Sequence, residues 1–256
     1  MRLHVRFQLD QETAIPIDHN HALLGLVYRL LSISDKEYSA TLHDDGYSAP
    51  DAEERKCKLF TFSGLRAPAD RRRIRDGRLF LKPGYLDWYL SSPRSEFLLH
   101  SVTGLIASGD SIQVDRAELR IHSVESLPVP TIEDGMEFVC ISPIVGTWAG
   151  SDGRTEYLRP GDDRFSEALR LNLQWKHRLL YGVPEPEDRF EIEFDRNYLA
   201  DPRRRGGTKL VTFKGINLVG AFAPFRLRGS ETLIKTAWEC GLGGKNSIGL
   251  GMIDCR

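Results

Sequence analysis

No run of apolar residues in this 256-residue sequence approaches the length of about 20 that a helix needs to cross a bilayer, so a membrane-spanning protein is not expected. The opening Met1-Arg2-Leu3-His4-Val5-Arg6 alternates and lacks the apolar core of a secretory signal, so the expected location is the cytoplasm. Cysteine is scarce. Cys57, Cys140, Cys240 and Cys255 form no Cys-x-x-Cys pair and have no histidine cluster at finger spacing beside them, which argues against a zinc site, while a chain of this size has little need of a disulfide framework. No metal and no cofactor are expected. Charge of one sign is lacking too: 35 Lys and Arg against 36 Asp and Glu leave a formal net charge of −1, which neither favours nor excludes a nucleic-acid partner.

What is present is local. Arg71, Arg72, Arg73 and Arg75 form one basic run, and Arg203, Arg204 and Arg205 form another, followed by two glycines. Each run reads either as a solvated loop or as a contact for phosphate. Hydrophobic residues make up 41% of the chain, enough for one large core or two smaller ones.

The pattern of apolar residues predicts a repeated order of elements. Leu3, Val5, Phe7 and Leu9 alternate with polar neighbours as a half-buried strand. Leu23, Leu24, Val27, Tyr28 and Leu31 share a helical face, with Asp18 as its N-cap. A short second helix follows, opened by the capping-box spacing of Ser34 and Glu37 and stopped by Gly46. Strands are predicted at 58–62 and 78–82, a helix opened by Ser92-Pro93, and a strand over 111–124. After a proline-bearing linker at 126–130 come a strand at 138–142, a helix over 165–181, a strand around 190–194, strand-like material at 210–214 and 217–227, a helix capped by Ser230 and a last strand at 252–255. Each half reads as βαββαβ, so the expected fold is α+β with two tandem ferredoxin-like domains, 1–126 and 131–256.

The segment 241–251 reads Gly-Leu-Gly-Gly-Lys-Asn-Ser-Ile-Gly-Leu-Gly. Glycine permits positive φ and close approach of backbone N–H groups to a phosphate. A nucleotide-binding P-loop is excluded, because Lys245 is followed by Asn246 and the segment comes after a helix and before a strand. A dinucleotide fingerprint fails for the same reason of order. The plain alternative is a structural turn.

This segment resembles the C-terminal glycine-rich loop of the Cas6 family of CRISPR repeat-processing endoribonucleases, within the repeat-associated RNA-binding superfamily. The opening strand 1–7, Asn20-His21 with Leu24-Gly25-Leu26-Val27-Tyr28, Lys58-Leu59-Phe60-Thr61-Phe62-Ser63 and Ile141-Ser142-Pro143-Ile144 resemble the family as well. The resemblance implies metal-independent cleavage of precursor CRISPR RNA within repeats, leaving a 5′-hydroxyl and a 2′,3′-cyclic phosphate. It implies CRISPR repeat RNA as the partner, with effector-complex subunits and a second copy of the chain as further candidates. A non-catalytic RNA-binding subunit of an effector complex is the alternative. A host RNA-recognition protein would need aromatics exposed on a sheet, and Phe60-Thr61-Phe62 supplies few.

Such cleavage needs a base for the 2′-hydroxyl, an acid for the departing oxygen and positive charge at the phosphorane. His43, expected in the last turn of the short second helix, reads from position alone as an ordinary C-terminal helix histidine, and the resemblance makes it the first choice for proton transfer. By the resemblance Tyr28 assists and Lys58 stabilises the charge, with Lys56 as the neighbour that could replace it. His19 and His21, at the start of the first helix, are rivals expected to be structural. The acidic stretch between His43 and Lys58 is out of place beside RNA and is expected to fold away from the strand that follows. For binding, the loop residues Gly241, Gly243, Gly244, Lys245, Asn246, Ser247, Gly249 and Gly251 are the expected phosphate cradle, helped by the two arginine runs.

Overall fold

The structure, a computed structural model, describes residues 1–151 and 153–256. The first half contains β1 (Arg2–Leu9), α1 (Asn20–Ser34), α2 (Lys36–Asp44), β2 (Thr61–Phe62), β3 (Gly84–Ser91), α3 (Ser95–Ala107), β4 (Ser111–Val114) and β5 (Ala117–Leu127). Its sheet runs β2-β3-β1-β5 with β4 added at the edge, all antiparallel. The second half contains β6 (Glu137–Cys140), α4 (Phe165–Tyr181), β7 (Phe190–Phe194), β8 (Phe225–Gly229), α5 (Glu231–Cys240) and β9 (Ile253–Cys255), with sheet order β7-β8-β6-β9. Both sheets therefore have the order of a ferredoxin-like unit, and the fold is α+β with two such units in tandem.

The period-2 pattern of β1 drives the first core. Leu3, Val5, Phe7 and Leu9 point to one face and are buried with Trp88, Phe60, Phe62 and the inner faces of α1 and α3. Each such side chain contributes about 1.5–3 kcal/mol on full burial. Helices α1 and α3 touch so closely at Gly104 that a Cβ there would overlap the Leu30 carbonyl. Phe138, Leu169, Leu173, Phe225, Leu233, Ile234 and Trp238 form the second core. No helix among the described residues is long and apolar enough to cross a membrane.

Several local expectations are corrected. The segment 78–82 does not supply a strand of the main sheet. Arg78–Leu81 pairs with Thr13–Pro16 and Arg72–Arg75 in a separate small sheet, and the strand beside β1 is Gly84–Ser91. The same happens at 210–214, which lies in a hairpin of Thr208–Phe213 with Ile216–Ala221, while β8 fills the sheet. Asp18 does not cap α1. Its carboxylate accepts from the Thr212 N–H at 3.2 Å, and residue 19 stands at the N-cap. Ser34 ends α1, and Asp35 caps α2 by accepting from the Tyr38 N–H at 2.9 Å. Helix α3 opens at Ser95, three residues after Ser92, whose hydroxyl accepts from the Arg94 N–H.

Among the contacts that join the halves are those of Arg2 and of the hairpin that follows His43. Arg2, on the nominally polar face of β1, is buried: it donates to Trp238 O at 3.1 Å and Ile253 O at 2.8 Å, pairs with Asp254 and lies 4.0 Å over the Trp238 ring. The acidic stretch after His43 forms a hairpin of Tyr47–Ala49 with Ala52–Cys57. It rests on α4, with Asp51 paired to Arg178 and Arg55 lying 4.5 Å over the Trp175 ring.

Candidate active site

Helix α1 presents Asn20 and Tyr28 eight residues apart, hence on one face and about 12 Å apart along the axis. Asp35 starts α2 immediately, which turns the chain back so that His43, near the end of α2, meets Tyr28. The two rings are 4.9 Å apart and nearly perpendicular. Lys58 completes the group from the other side. Its ammonium donates to the Tyr28 hydroxyl at 2.9 Å and to the His43 carbonyl, one of the free carbonyls that end α2. The residue after it, Leu59, has φ +52, which turns the backbone between the hairpin that ends at Cys57 and the buried Phe60.

The electrostatics separate the roles. Burial, helped by the Asp44 charge, raises the Tyr28 pKa well above that of an ordinary tyrosine, so the hydroxyl keeps its proton. Since its oxygen accepts from Lys58, that proton points elsewhere. Burial lowers the Lys58 pKa, against a smaller opposing effect of Asp44. The His43 Nδ1 lies 2.7 Å from Asp44 Oδ1, so Nδ1 carries a hydrogen and Nε2 is free on an exposed ring. Lys56 pairs instead with Asp45 at 3.1 Å. The sequence reading did not single out Asp44 as a partner, and the signal was only its adjacency to His43.

The rival histidines lie elsewhere. His19 is buried; its Nδ1 donates to Pro16 O and Ile17 O, and its Nε2 accepts from the Leu65 N–H at 3.0 Å. His21 is exposed and meets the edge of Phe213. Among the described residues, no three His, Cys, Asp or Glu side chains gather as a metal-ligand set.

The glycine-rich segment crosses from α5 to β9 and packs against the first half. Asn20 donates to Ile248 O and Gly249 O, and Thr61 donates to Leu250 O at 2.9 Å. Gly249 has φ +83 and lies so close to Phe62 and Asn20 that a Cβ would meet the Phe62 ring at 2.5 Å. Gly241, Gly243, Gly249 and Gly251 are buried, Gly244 and Ser247 are half-buried, and Lys245 alone is exposed. Asn246 is turned inward: its Nδ2 donates to Leu250 O and Leu242 O, and its Oδ1 accepts from Lys176. Two family models match in succession, CRISPR-associated protein Cas6, N-terminal, over 14–125 and CRISPR associated protein Cas6, C-terminal, over 127–255.

The chain belongs to the Cas6 family. It is 28% identical over 258 residues to the CRISPR-associated endoribonuclease Cas6 1 of Methanocaldococcus jannaschii, covering 99% of this chain and 92% of that one. It is likewise 28% identical to the CRISPR-associated endoribonuclease Cas6 of Pyrococcus furiosus, over 95% of this chain and 84% of the relative. A solved structure titled CRISPR associated protein Cas6 superposes with TM-score 0.75 at 28% identity, covering 100% of this chain and 99% of that chain.

The arginine runs are placed on other elements than the Tyr28 cluster. Arg71 donates to Tyr85 O, Arg73 pairs with Glu12, and Arg75 pairs with Asp76. Arg72 lines a groove of about 620 Å³ beside the start of α1, together with Arg66, Lys209, Asn20 and Ser142. The protein around the Lys209 ammonium, then Arg72 and Arg66, lower its pKa, which marks a concentration of positive charge. Arg66 and Lys209 were not found in the sequence because each is isolated there. Arg203 and Arg204 both face Asp201, and Arg204 also lies over Tyr198. Arg205 sits at φ +50 in the loop before the 208–221 hairpin.

Proposed function

We propose that this Cas6-family chain is an endoribonuclease that cuts precursor CRISPR RNA within the repeat by attack of a 2′-hydroxyl on the adjacent phosphate. The observation that carries the chemistry is the meeting of Tyr28, His43 and Lys58, drawn from α1, α2 and the turn before β2. His43 Nε2 takes the 2′-hydroxyl proton as the new P–O2′ bond forms. Lys58 offsets the charge that builds on the phosphorane. Tyr28, held protonated with its O–H directed away from Lys58, donates toward the 5′-oxygen as the P–O5′ bond breaks. The products are a 2′,3′-cyclic phosphate and a 5′-hydroxyl, and the side chains that move protons make a metal unnecessary.

In this reading the cutting groups lie in a first domain, 1–126, and a second, 131–256, brings the glycine loop to it. RNA phosphates meet Lys245 and the half-buried Gly244 and Ser247 at the loop surface, and Arg66, Arg72 and Lys209 in the groove. The four free cysteines support action in a reducing cytoplasm.

The test is purified protein with repeat RNA in EDTA. Cleavage is expected to persist, to stop when the nucleotide 5′ of the cut is 2′-deoxy, and to fall by about 10²–10⁴-fold in His43→Ala while RNA binding survives. Inhibition by EDTA overturns metal independence, and full activity of His43→Ala removes that residue from the mechanism.

A further inference from the structure

Lys176 lies on α4 at a position where a hydrophobe is expected: Leu169 and Leu173, two turns and one turn before it, are buried core residues. It is itself 1% exposed. Its ammonium donates to Gly241 O at 2.7 Å, Gly243 O at 2.8 Å and Asn246 Oδ1 at 2.7 Å. An ammonium has three donors, and all three are spent on the glycine-rich segment. No carboxylate pairs with it among the described residues. Burying an unpaired cation is costly, and burial lowers its pKa accordingly. A core leucine or methionine would serve α4 packing at less cost.

The cation answers a problem set by the loop. With φ of +86 and +75, Gly241 and Gly243 turn their carbonyls toward the same buried point, the Lys176 ammonium. Two inward carbonyls and the Asn246 amide oxygen would otherwise be buried acceptors without donors. Asn246 extends the arrangement, because its Nδ2 holds Leu242 O and Leu250 O on either side of the tip. One side chain from α4 thus fixes the path of the segment whose exposed point is Lys245.

We infer that Lys176 is a positioning residue for RNA binding, which holds the glycine-rich loop from behind so that Lys245 and its neighbours meet the RNA backbone. This rests on the reading of the chain as a repeat-RNA endoribonuclease. It predicts a split between binding and chemistry, since Tyr28, His43 and Lys58 are held by other contacts.

The experiment measures single-turnover cleavage of repeat RNA over a range of protein concentration for wild type, Lys176→Met and Leu173→Ala, below the unfolding temperature of each. Leu173 is the control: it is buried on the same helix, and its loss destabilises α4 packing without removing a hydrogen bond to the loop. The half-saturating concentration is expected to rise at least tenfold in Lys176→Met with the saturated rate within threefold, and to stay within threefold in Leu173→Ala. A folded Lys176→Met with wild-type half-saturation, or an equal rise in Leu173→Ala, overturns the inference. Should Lys176→Met not fold, Lys176→Arg, which keeps the charge but misfits the three acceptors, takes its place under the same criteria: a tenfold rise in half-saturation supports the inference, and wild-type half-saturation sinks it. Wild type that neither binds nor cuts repeat RNA would defeat the functional reading itself, a result distinct from these.

Discussion

Lys58 donates a 2.9 Å hydrogen bond to the Tyr28 hydroxyl across thirty residues of sequence. The bond orients a hydroxyl that burial keeps protonated, and it places a cation beside it. Replacing Tyr28 with phenylalanine removes only the oxygen. The ring keeps its edge contacts with His43 and Phe60. The single-turnover rate is expected to fall by about 10²-fold, with RNA affinity within threefold of wild type. An unchanged rate would show that the hydroxyl is a spectator.

Lys58 also carries a pH signature. Its pKa is lowered by burial, so its charge is lost at lower pH than that of an ordinary lysine. If that charge stabilises the transition state, activity declines on the alkaline side as pH rises through the lowered value. Arginine at this position keeps its charge throughout that range. Lys58→Arg is therefore expected to have a lower maximal rate, from misfit of the fork, and an alkaline limb moved to higher pH. The check is a cleavage pH profile from about 6 to 10. A limb at the same pH in both proteins would assign it to another group.

Much of the fold could be read locally. The helix predicted over 165–181 has those bounds in the structure, because its apolar face is long and Gly182 ends it in the left-handed conformation. Ser230 caps α5 as its spacing suggests. The misread strands have a single cause. Segment 78–82 alternates as well as 84–91 does, and only the partner decides which of them joins the sheet; that partner, β1, lies more than seventy residues away. Asp18 looked like a cap for the same reason, since its hydrogen-bond partner Thr212 is 194 residues distant. In the candidate site, Tyr28, His43 and Lys58 came from resemblance at three separated places. Their contact depends on the tight α1–α2 turn, which the sequence shows only as an Asp beside a Ser. In the loop, glycine permits close approach of a phosphate at every one of its positions. Which glycines are buried is set by Phe62, Asn20 and Lys176, far off in sequence.

His19 makes stability depend on acid. Burial lowers its pKa below the ordinary 6.5, against the opposing pull of the Pro16 and Ile17 carbonyls. A lowered pKa means the unfolded chain binds the proton first as pH falls, so stability is lost between 6.5 and the lower folded value and levels off beneath it. Wild type should therefore lose more unfolding free energy between pH 7 and 5 than His19→Gln, which has no proton to take. Urea unfolding of both proteins at the two pH values measures the difference. Equal losses would mean that His19 is not linked to folding.

The groove and the second arginine run should differ in their response to salt. Lys209, Arg72 and Arg66 crowd together, and the pKa of Lys209 is lowered partly by the two arginines. Positive charges that repel one another gain most from a phosphate brought between them. Arg203 is already neutralised: Asp201 accepts from its Nε at 3.0 Å and its Nη2 at 2.9 Å. Each phosphate contact releases counterions, so losing one lowers the slope of log K against log salt by about 1. Lys209→Ala and Arg72→Ala should each flatten the salt dependence of repeat-RNA binding by that amount, and Arg203→Ala should leave it within error of wild type. Filter binding between about 50 and 300 mM salt reads the slopes. If the groove variants keep the wild-type slope while Arg203→Ala flattens it, the RNA path runs over the 203–205 loop and not through the groove.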